Sequence, residues 1–282
     1  MAHDHPNILN ELVKLIDDER NDIFIMLDAK ANIKDFDFIK SYKSKLLWCK
    51  NRIKVYWGHA SQIENELNLF KEAKTYGNYD YFHLLSGVDI PIKSQNFIHN
   101  LFDTNKGKEF IYVSKSENVP KIMSYKLDHY KIFSKYYRDP RKIPRGLTRK
   151  IRNCFCAFQN WLNIKRTYPW EKLYYGSNWV SITQDFVNYL IENENKVLKS
   201  FQYTYCVDEV YKQTLIMNSH FKKNLFPNGN LREIDWSSGE IKEFTVDDIN
   251  LLKSSENIFA RKIDPKSYKH ISNHLIKIFN NE

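Results

Sequence analysis

A chain of 282 residues that is 42% hydrophobic can bury a sizeable core, and no break in its composition divides it, which argues against two independent domains. Against 34 aspartates and glutamates stand 43 lysines and arginines, a formal charge of +9, so the surface should attract an anionic ligand, a nucleic acid or an acidic membrane face. No stretch is apolar for the length of a bilayer span and MAHDHPNILNEL has no apolar leader core, so any membrane contact is expected to be peripheral.

In chain order, Ile8, Leu9, Leu12, Leu15 and Ile16 recur at helical spacing and predict a helix over 6–17. DIFIMLD at 22–28 is an apolar run ending in Asp28, the pattern of a central parallel strand with a carboxylate at its C-terminal edge. Such a carboxylate can accept a hydrogen bond from a ribose hydroxyl or a base N–H. Asp35-Phe36-Asp37 is a literal D-x-D, but it ends no strand and reads as a turn or helix start. A helix is expected from Ser61, with Ser61 and Glu64 as a capping box ahead of Ile63, Leu67 and Leu69.

DYFHLLSGVDIPIKS at 80–94 predicts a buried strand (Phe82, Leu84, Leu85) that stops at Ser86-Gly87 and delivers Asp89 before the Pro91 turn. A helix from about Ser94 to Phe102 and a strand EFIYV at 109–113 follow. This β-α-β order implies an α/β fold with ligands at the strand C-termini.

Residues 125–172 are the most basic and aromatic part: Arg138, Arg141, Lys142, Arg145, Arg149, Lys150, Arg152, Lys165 and Arg166 alternate with Tyr136, Tyr137, Phe155, Phe158 and Trp161. A nucleic-acid groove, an anionic-lipid patch and a binding loop for an acidic glycan all fit this composition, as does a helix that packs its aromatics into the core. No nucleic-acid motif accompanies the charge, which favours lipid or glycan contact if the segment is functional.

Gly176-Ser177-Asn178-Trp179 reads as a tight turn that brings backbone close to a ligand. Val207-Asp208-Glu209 is expected to open a helix with its acids in the first turn, where the helix dipole favours their ionised form. Together with Asp89 these carboxylates suggest an active site. Cys49, Cys154, Cys156 and Cys206 lack zinc-ligand spacing and read as reduced thiols of a cytoplasmic protein. His3, His5, His59, His83 and His129 likewise show no metal-ligand spacing.

YFHLLSGVDIPIKS, GSNWVSITQDFVNYL and VDEVYKQTLI, with VYWGHASQIENELNLFKEA at 55–73, IDW at 234–236 and IFARKID at 258–264, resemble the core-2/I-branching N-acetylglucosaminyltransferases, glycosyltransferase family 14. The resemblance spans most of the chain and is weak between about 105 and 170. It implies a GT-A-like, Rossmann-type α/β/α sandwich with a mostly parallel central sheet and, here, a helical basic insertion. One domain would then comprise a nucleotide-binding half at 1–115, the insertion at 116–172 and a catalytic and acceptor half at 173–282. Relatives open with a strand running into a His-containing turn, whereas Met1-Ala2-His3 begins about where that strand ends, so the sheet edge is expected to differ.

The resemblance further implies an inverting transfer of a sugar, N-acetylglucosamine first, from a UDP-sugar to a glycan hydroxyl, with no cofactor and no divalent metal. Glu209 takes the place of the family's catalytic base in its P-D-E motif, Val207 replacing the proline, with Asp208 beside it on the acceptor side. Lys262 matches a diphosphate-binding lysine and Lys242 its basic partner, arginine in animal enzymes. Asp28 matches an acid that contacts uridine, Ser86 and Asp89 lie where the donor sugar rests, and Trp236 matches an aromatic of the acceptor pocket. A Lys-, Asn- and Ile-rich composition without an anchor fits a bacterial enzyme, cytoplasmic or peripheral at the inner membrane face, with a surface polysaccharide or lipid-linked glycan as acceptor. Nucleic acid is not an expected partner. The competing classes are a non-catalytic nucleotide- or glycan-binding relative and an RNA-binding protein.

Overall fold

The computed structural model describes residues 1–132, 134–136, 145–237 and 239–279, with the backbone alone of Arg145. Tyr137, Arg138, Arg141, Lys142 and the Arg145 side chain of the basic segment therefore lie outside the described residues.

The first helix, α1 (Pro6–Leu15), carries proline in its first turn and buries Ile8, Leu9, Leu12 and Val13. Strand β1 (Asp22–Ile25) pairs in parallel with β2 (Lys45–Trp48). Side chains alternate across this strand and its extension. Ile23, Ile25 and Leu27 enter one apolar cluster with α1 and the C-terminal helix α10 (Tyr268–Phe279). Met26 enters the opposite cluster, with α2 (Ser61–Lys74) and α6 (Gln184–Glu192). Helices thus pack on both sides of this strand, in a mixed α/β fold.

The sheet itself is less regular than expected. Strand β3 (Tyr81–His83) pairs antiparallel with β5 (Ser181–Thr183), and β4 (Ile90–Pro91) and β6 (Arg232–Glu233) flank β7 (Phe259–Ala260) in antiparallel and parallel sense. Among the described residues the strands form three small sheets, one parallel, one antiparallel and one mixed, and a mostly parallel central sheet is not evident. Between β1 and β3 sits Met1-Ala2: Ala2 N–H donates to the Met26 carbonyl (3.0 Å), and Asp28 and Gly87 N–H donate to the Ala2 and Met1 carbonyls (both 2.9 Å). Beyond this two-residue link a cavity of about 430 Å³, lined by Ile23, Ile25, Phe82 and Leu84 among others, separates the two strands. EFIYV makes only isolated bridges, Glu109 with Leu225, Phe110 with Ser181 and Val113 with Gly176, so the strand expected at 109–113 does not form.

Local capping also differs from expectation in one place. Ser94 caps α3 (Gln95–Thr104), its hydroxyl accepting from Phe97 N–H at 3.3 Å. Ser61 does not form a capping box: it lies inside the first turn of α2, where its hydroxyl accepts from Tyr56 N–H (2.9 Å) and its N–H donates to His59 Nδ1 (3.0 Å). The loop before α2 outcompetes the cap for that hydroxyl. The D-x-D falls in a short 3-10 turn, Ile33–Phe36, capped by Asn32.

Remaining helices are α4 (Val119–Leu127), α5 (Arg145–Trp161), α7 (Glu194–Phe201), α8 (Tyr211–Met217) and α9 (Ile249–Ser254). Cys49 is buried, Cys154 exposed, and all four cysteines are free thiols.

Glu109 pins β5 and α6 together from within the core. Its carboxylate accepts from Thr183 N–H (2.9 Å) and hydroxyl (2.5 Å), and Thr183 in turn caps α6. Burial pushes this carboxyl from 4.5 up to about 7, against the pull of those two hydrogen bonds. The folded state therefore holds a proton that the unfolded chain releases, so stability falls as pH rises from 4.5 to 7. The difference in urea stability between the native chain and Glu109→Gln should shift against the native chain by on the order of 3 kcal/mol from pH 4.5 to 7; an unchanged difference would contradict the assignment.

Candidate active site

The loop into α8 is built on a strained residue. Cys206 holds a left-handed φ of 51°, fixed by donation of its N–H to the Gly58 carbonyl at 2.8 Å. Gly58 is itself left-handed, and a Cβ there would meet Tyr205 Cε2 at 2.6 Å. Asp208 and Glu209 follow in the turn that precedes α8, one step short of the helix expected to contain them.

The environment of Asp208 overrides the expected dipole effect. Its carboxyl is buried, accepts from Gln62 Nε2 at 3.2 Å, and is pushed from 3.8 up to about 7, first by burial and then by the charge of Glu209. Glu209 is more open, with its side chain 31% exposed. The buried Lys126 ammonium ion-pairs with its carboxylate, donates to the Cys206 carbonyl at 3.1 Å and lies 4.9 Å from the centre of the Tyr175 ring. The Tyr175 hydroxyl hydrogen-bonds Glu209, and burial followed by the Glu209 charge holds it well above the usual phenol range. Gly176 N–H donates to the Glu209 carbonyl at 2.9 Å.

Beneath this turn lies a fully buried ion pair. Lys212 Nζ sits 2.5 Å from Glu66 Oε2 and 2.5 Å from Asn178 Oδ1, and 3.4 Å from the Asp208 carbonyl; Tyr211 hydroxyl donates to the same Glu66 oxygen at 2.7 Å. Burial lowers the Lys212 ammonium's proton affinity and the Glu66 charge opposes that. The pair therefore ties α2, the GSNW turn and α8 together through charge-assisted hydrogen bonds.

GSNW performs a structural task on both sides. Asn178 anchors Lys212, while Trp179 lies under Arg261, whose guanidinium carbon is 4.1 Å from the ring centre. Arg261 Nη1 in turn pairs with the buried Asp89 carboxylate at 2.7 Å. A Cβ at Gly176 would meet the Tyr112 carbonyl oxygen at 1.9 Å, so glycine is required by a backbone neighbour within the chain rather than by a ligand.

Two of the expected donor residues, Asp28 and Ser86, meet at one strand edge. Met1-Ala2 joins the end of β1 to the 84–87 segment, which brings Asp28 and Ser86 to the same edge. Asp28 pairs with Lys30 Nζ at 3.4 Å, and Ser86 N–H donates to Asp89 Oδ2 at 2.8 Å. Lys242 and Lys262 lie on adjoining segments bridged by Phe244 and Ile263, and Lys242 N–H donates to the Asp235 carbonyl beside Trp236. Both ammonium groups meet carboxylates: Lys242 that of Asp248 at 2.6 Å, Lys262 that of Glu243 at 3.4 Å. Trp236 is 57% exposed.

Sequence reasoning missed Lys126, Tyr175, Glu66, Lys212 and Arg261. Lys212 stands four residues after Asp208, a helical spacing that offered a signal, and Arg261 adjoins Lys262 inside IFARKID. Lys126 and Tyr175 had no local signal, since only the fold carries them to Glu209. Burial likewise fixes His83 as neutral, its pKa pushed down to about 3, with Ser181 Oγ at 2.8 Å from its ring. Among the described residues no three His, Cys, Asp or Glu side chains converge as a metal site.

The sequence profile of the Core-2/I-Branching enzyme family matches residues 3–277. The chain is 25% identical over 274 residues to the beta-glucuronosyltransferase GlcAT14B of Arabidopsis thaliana, covering 93% of this chain and 58% of that protein. It is 22% identical over 244 residues to the xylosyltransferase oxt of Drosophila pseudoobscura pseudoobscura, covering 77% of this chain and 25% of that one. Xylosyltransferase sqv-6 of Caenorhabditis briggsae is 27% identical over 192 residues, covering 66% of this chain and 21% of its own. The chain therefore spans little more than half of the plant relative and about a quarter of the fly protein.

Removing one member of the buried pair leaves the other charge without compensation. Lys212→Met should lower stability to urea by about 3–5 kcal/mol, and adding Glu66→Leu should restore part of that loss. A single variant within about 1 kcal/mol of the native chain would contradict the ion-pair account.

Proposed function

The chain belongs to the core-2/I-branching enzyme family, and on that footing we propose that it is a glycosyltransferase that carries a sugar from a UDP-sugar to a glycan hydroxyl with inversion. The observation that carries this reading is the placement of Glu209, a partly open carboxylate held on a fixed turn above a buried ion pair. In the proposed step Glu209 takes the proton of the acceptor hydroxyl as its oxygen bonds to the anomeric carbon. The bond from that carbon to the diphosphate breaks, and UDP leaves with the electron pair. An α-linked donor then gives a β-linked product.

Charge on the departing diphosphate needs fixed positive partners. Lys242 and Lys262 supply them in this reading, exchanging their surface carboxylates for phosphate oxygens, and transfer needs no divalent metal or cofactor. Asp28 addresses the nucleoside. Ser86 and the Asp89–Arg261 pair shape the floor under the sugar, with Arg261 fixed against Trp179. N-acetylglucosamine is the first donor to test, beside xylose and glucuronic acid, because the named relatives are xylosyl- and glucuronosyltransferases.

On the acceptor side, Trp57 and Tyr205 meet edge to face at 5.5 Å and Tyr125 meets Tyr205 at 6.2 Å, directly beside the Cys206–Glu209 turn. Flat aromatic faces suit the C–H face of a pyranose. Together with Trp236 they form the proposed acceptor surface, whereas Asp208, expected on that side, is buried behind the turn.

UDP release from UDP-N-acetylglucosamine, UDP-xylose and UDP-glucuronate, each assayed in EDTA with a panel of glycan acceptors, tests the proposal. Glu209→Gln should lower turnover about 10²–10⁴-fold while UDP binding persists. Turnover that survives Glu209→Gln, or dependence on added metal, would overturn the mechanism.

A further inference from the structure

Helix α5 turns its apolar stripe away from the protein. Leu147, Ile151, Cys154, Phe158 and Trp161 are all exposed, at successive spacings of four, three, four and three residues that place them on one side of the helix. Trp161 is 76% exposed and Leu147 50%. The side that faces the chain is instead polar: buried Gln159 exchanges hydrogen bonds with the Tyr130 backbone, accepting at 2.8 Å and donating at 3.1 Å. A helix packed against a core shows the reverse pattern, so the expectation that this segment buries its aromatics fails for Phe158 and Trp161.

Charge identifies what covers this stripe. Residues 140–170 contain eight lysines and arginines, Arg141, Lys142, Arg145, Arg149, Lys150, Arg152, Lys165 and Arg166, and no aspartate or glutamate. On the described part of the helix exposed Lys150 lies beside the stripe, and exposed Arg149 lies on the side opposite it. We infer that α5 lies in the headgroup layer of an anionic membrane, with its apolar stripe inserted among the upper acyl carbons and its basic flanks on the lipid phosphates. A 17-residue helix is about 25 Å long and lies flat in such a layer. No helix among the described residues is long and apolar enough to cross a membrane. An RNA groove would use the bases and the charge, and would leave Leu147 and Ile151 without a role.

The inward side of α5 bears on the acceptor side of the site. Arg152 lies over the Tyr125 ring at 5.8 Å, and Lys131 Nζ reaches Cys156 Sγ at 3.4 Å. Tyr125 adjoins Lys126, the partner of Glu209. Resting on the proposed function, a membrane-seated α5 would point the site at acceptors held in the headgroup layer, which fits a lipid-linked glycan. Docking itself does not depend on Glu209 being a base, so vesicle binding and turnover fail or succeed separately.

Co-sedimentation of the full chain with phosphatidylcholine vesicles and with mixed phosphatidylglycerol–phosphatidylcholine vesicles tests the inference. The native chain should bind the anionic vesicles at least about tenfold more tightly than the neutral ones. Phe158→Ser with Trp161→Ser should cost about tenfold in that binding with an unchanged far-UV spectrum and melting temperature, and Arg149→Glu with Lys150→Glu should abolish the preference for anionic lipid. Equal binding of native chain and variants, or none, would overturn it. So would binding of single-stranded RNA without vesicles, or a dimer in solution that Trp161→Ser dissociates.

Discussion

Two opposite charges with no solvent contact, Lys212 and Glu66, sit at the point where α2, α8 and the GSNW turn meet. Taking such a pair out of water costs several kcal/mol per ion, and only close geometry with further hydrogen bonds offsets that cost. Asn178, Tyr211 and the Asp208 carbonyl provide those bonds. The turn that carries Asp208 and Glu209 therefore rests on charge-assisted hydrogen bonds from the buried pair.

From that base the two adjacent acids acquire different characters. Asp208 points inward, where burial and its neighbour's charge favour the protonated form up to about pH 7, whereas Glu209 points outward onto an ammonium and a phenol. Environment thus sorts two carboxylates one residue apart into a structural role and a candidate base. The same GSNW turn continues to Asp89 through Trp179 and Arg261, so one chain of contacts runs from the buried pair to that carboxylate.

Local pattern made much of this legible. The apolar run at 22–28 and the abrupt stop at Ser86-Gly87 each mark a segment that the fold joins through Met1-Ala2, because a strand's burial and its end are written in adjacent residues. Sheet order was not legible: β3 pairs with β5 across about a hundred residues, and EFIYV makes only isolated bridges although it has the composition of a strand, because pairing depends on which edge is free. Lys126 and Tyr175 were illegible for the same reason. Their meeting with Glu209 is a tertiary event between segments with no common periodicity. The basic and aromatic character of the middle segment is plain in its residues, yet composition could not say which side of α5 would face the protein.

The account turns on whether Asp28, Ser86, Lys242 and Lys262 together hold a nucleotide through the chain's own positive charge. Calorimetric titration with UDP in EDTA, then with manganese, comparing the native chain with Lys262→Ala, tests this most directly. The account predicts binding in EDTA that manganese leaves unchanged and that Lys262→Ala weakens about tenfold or more, the worth of a charged hydrogen bond. Binding that requires manganese, or that is indifferent to Lys262→Ala, would contradict it.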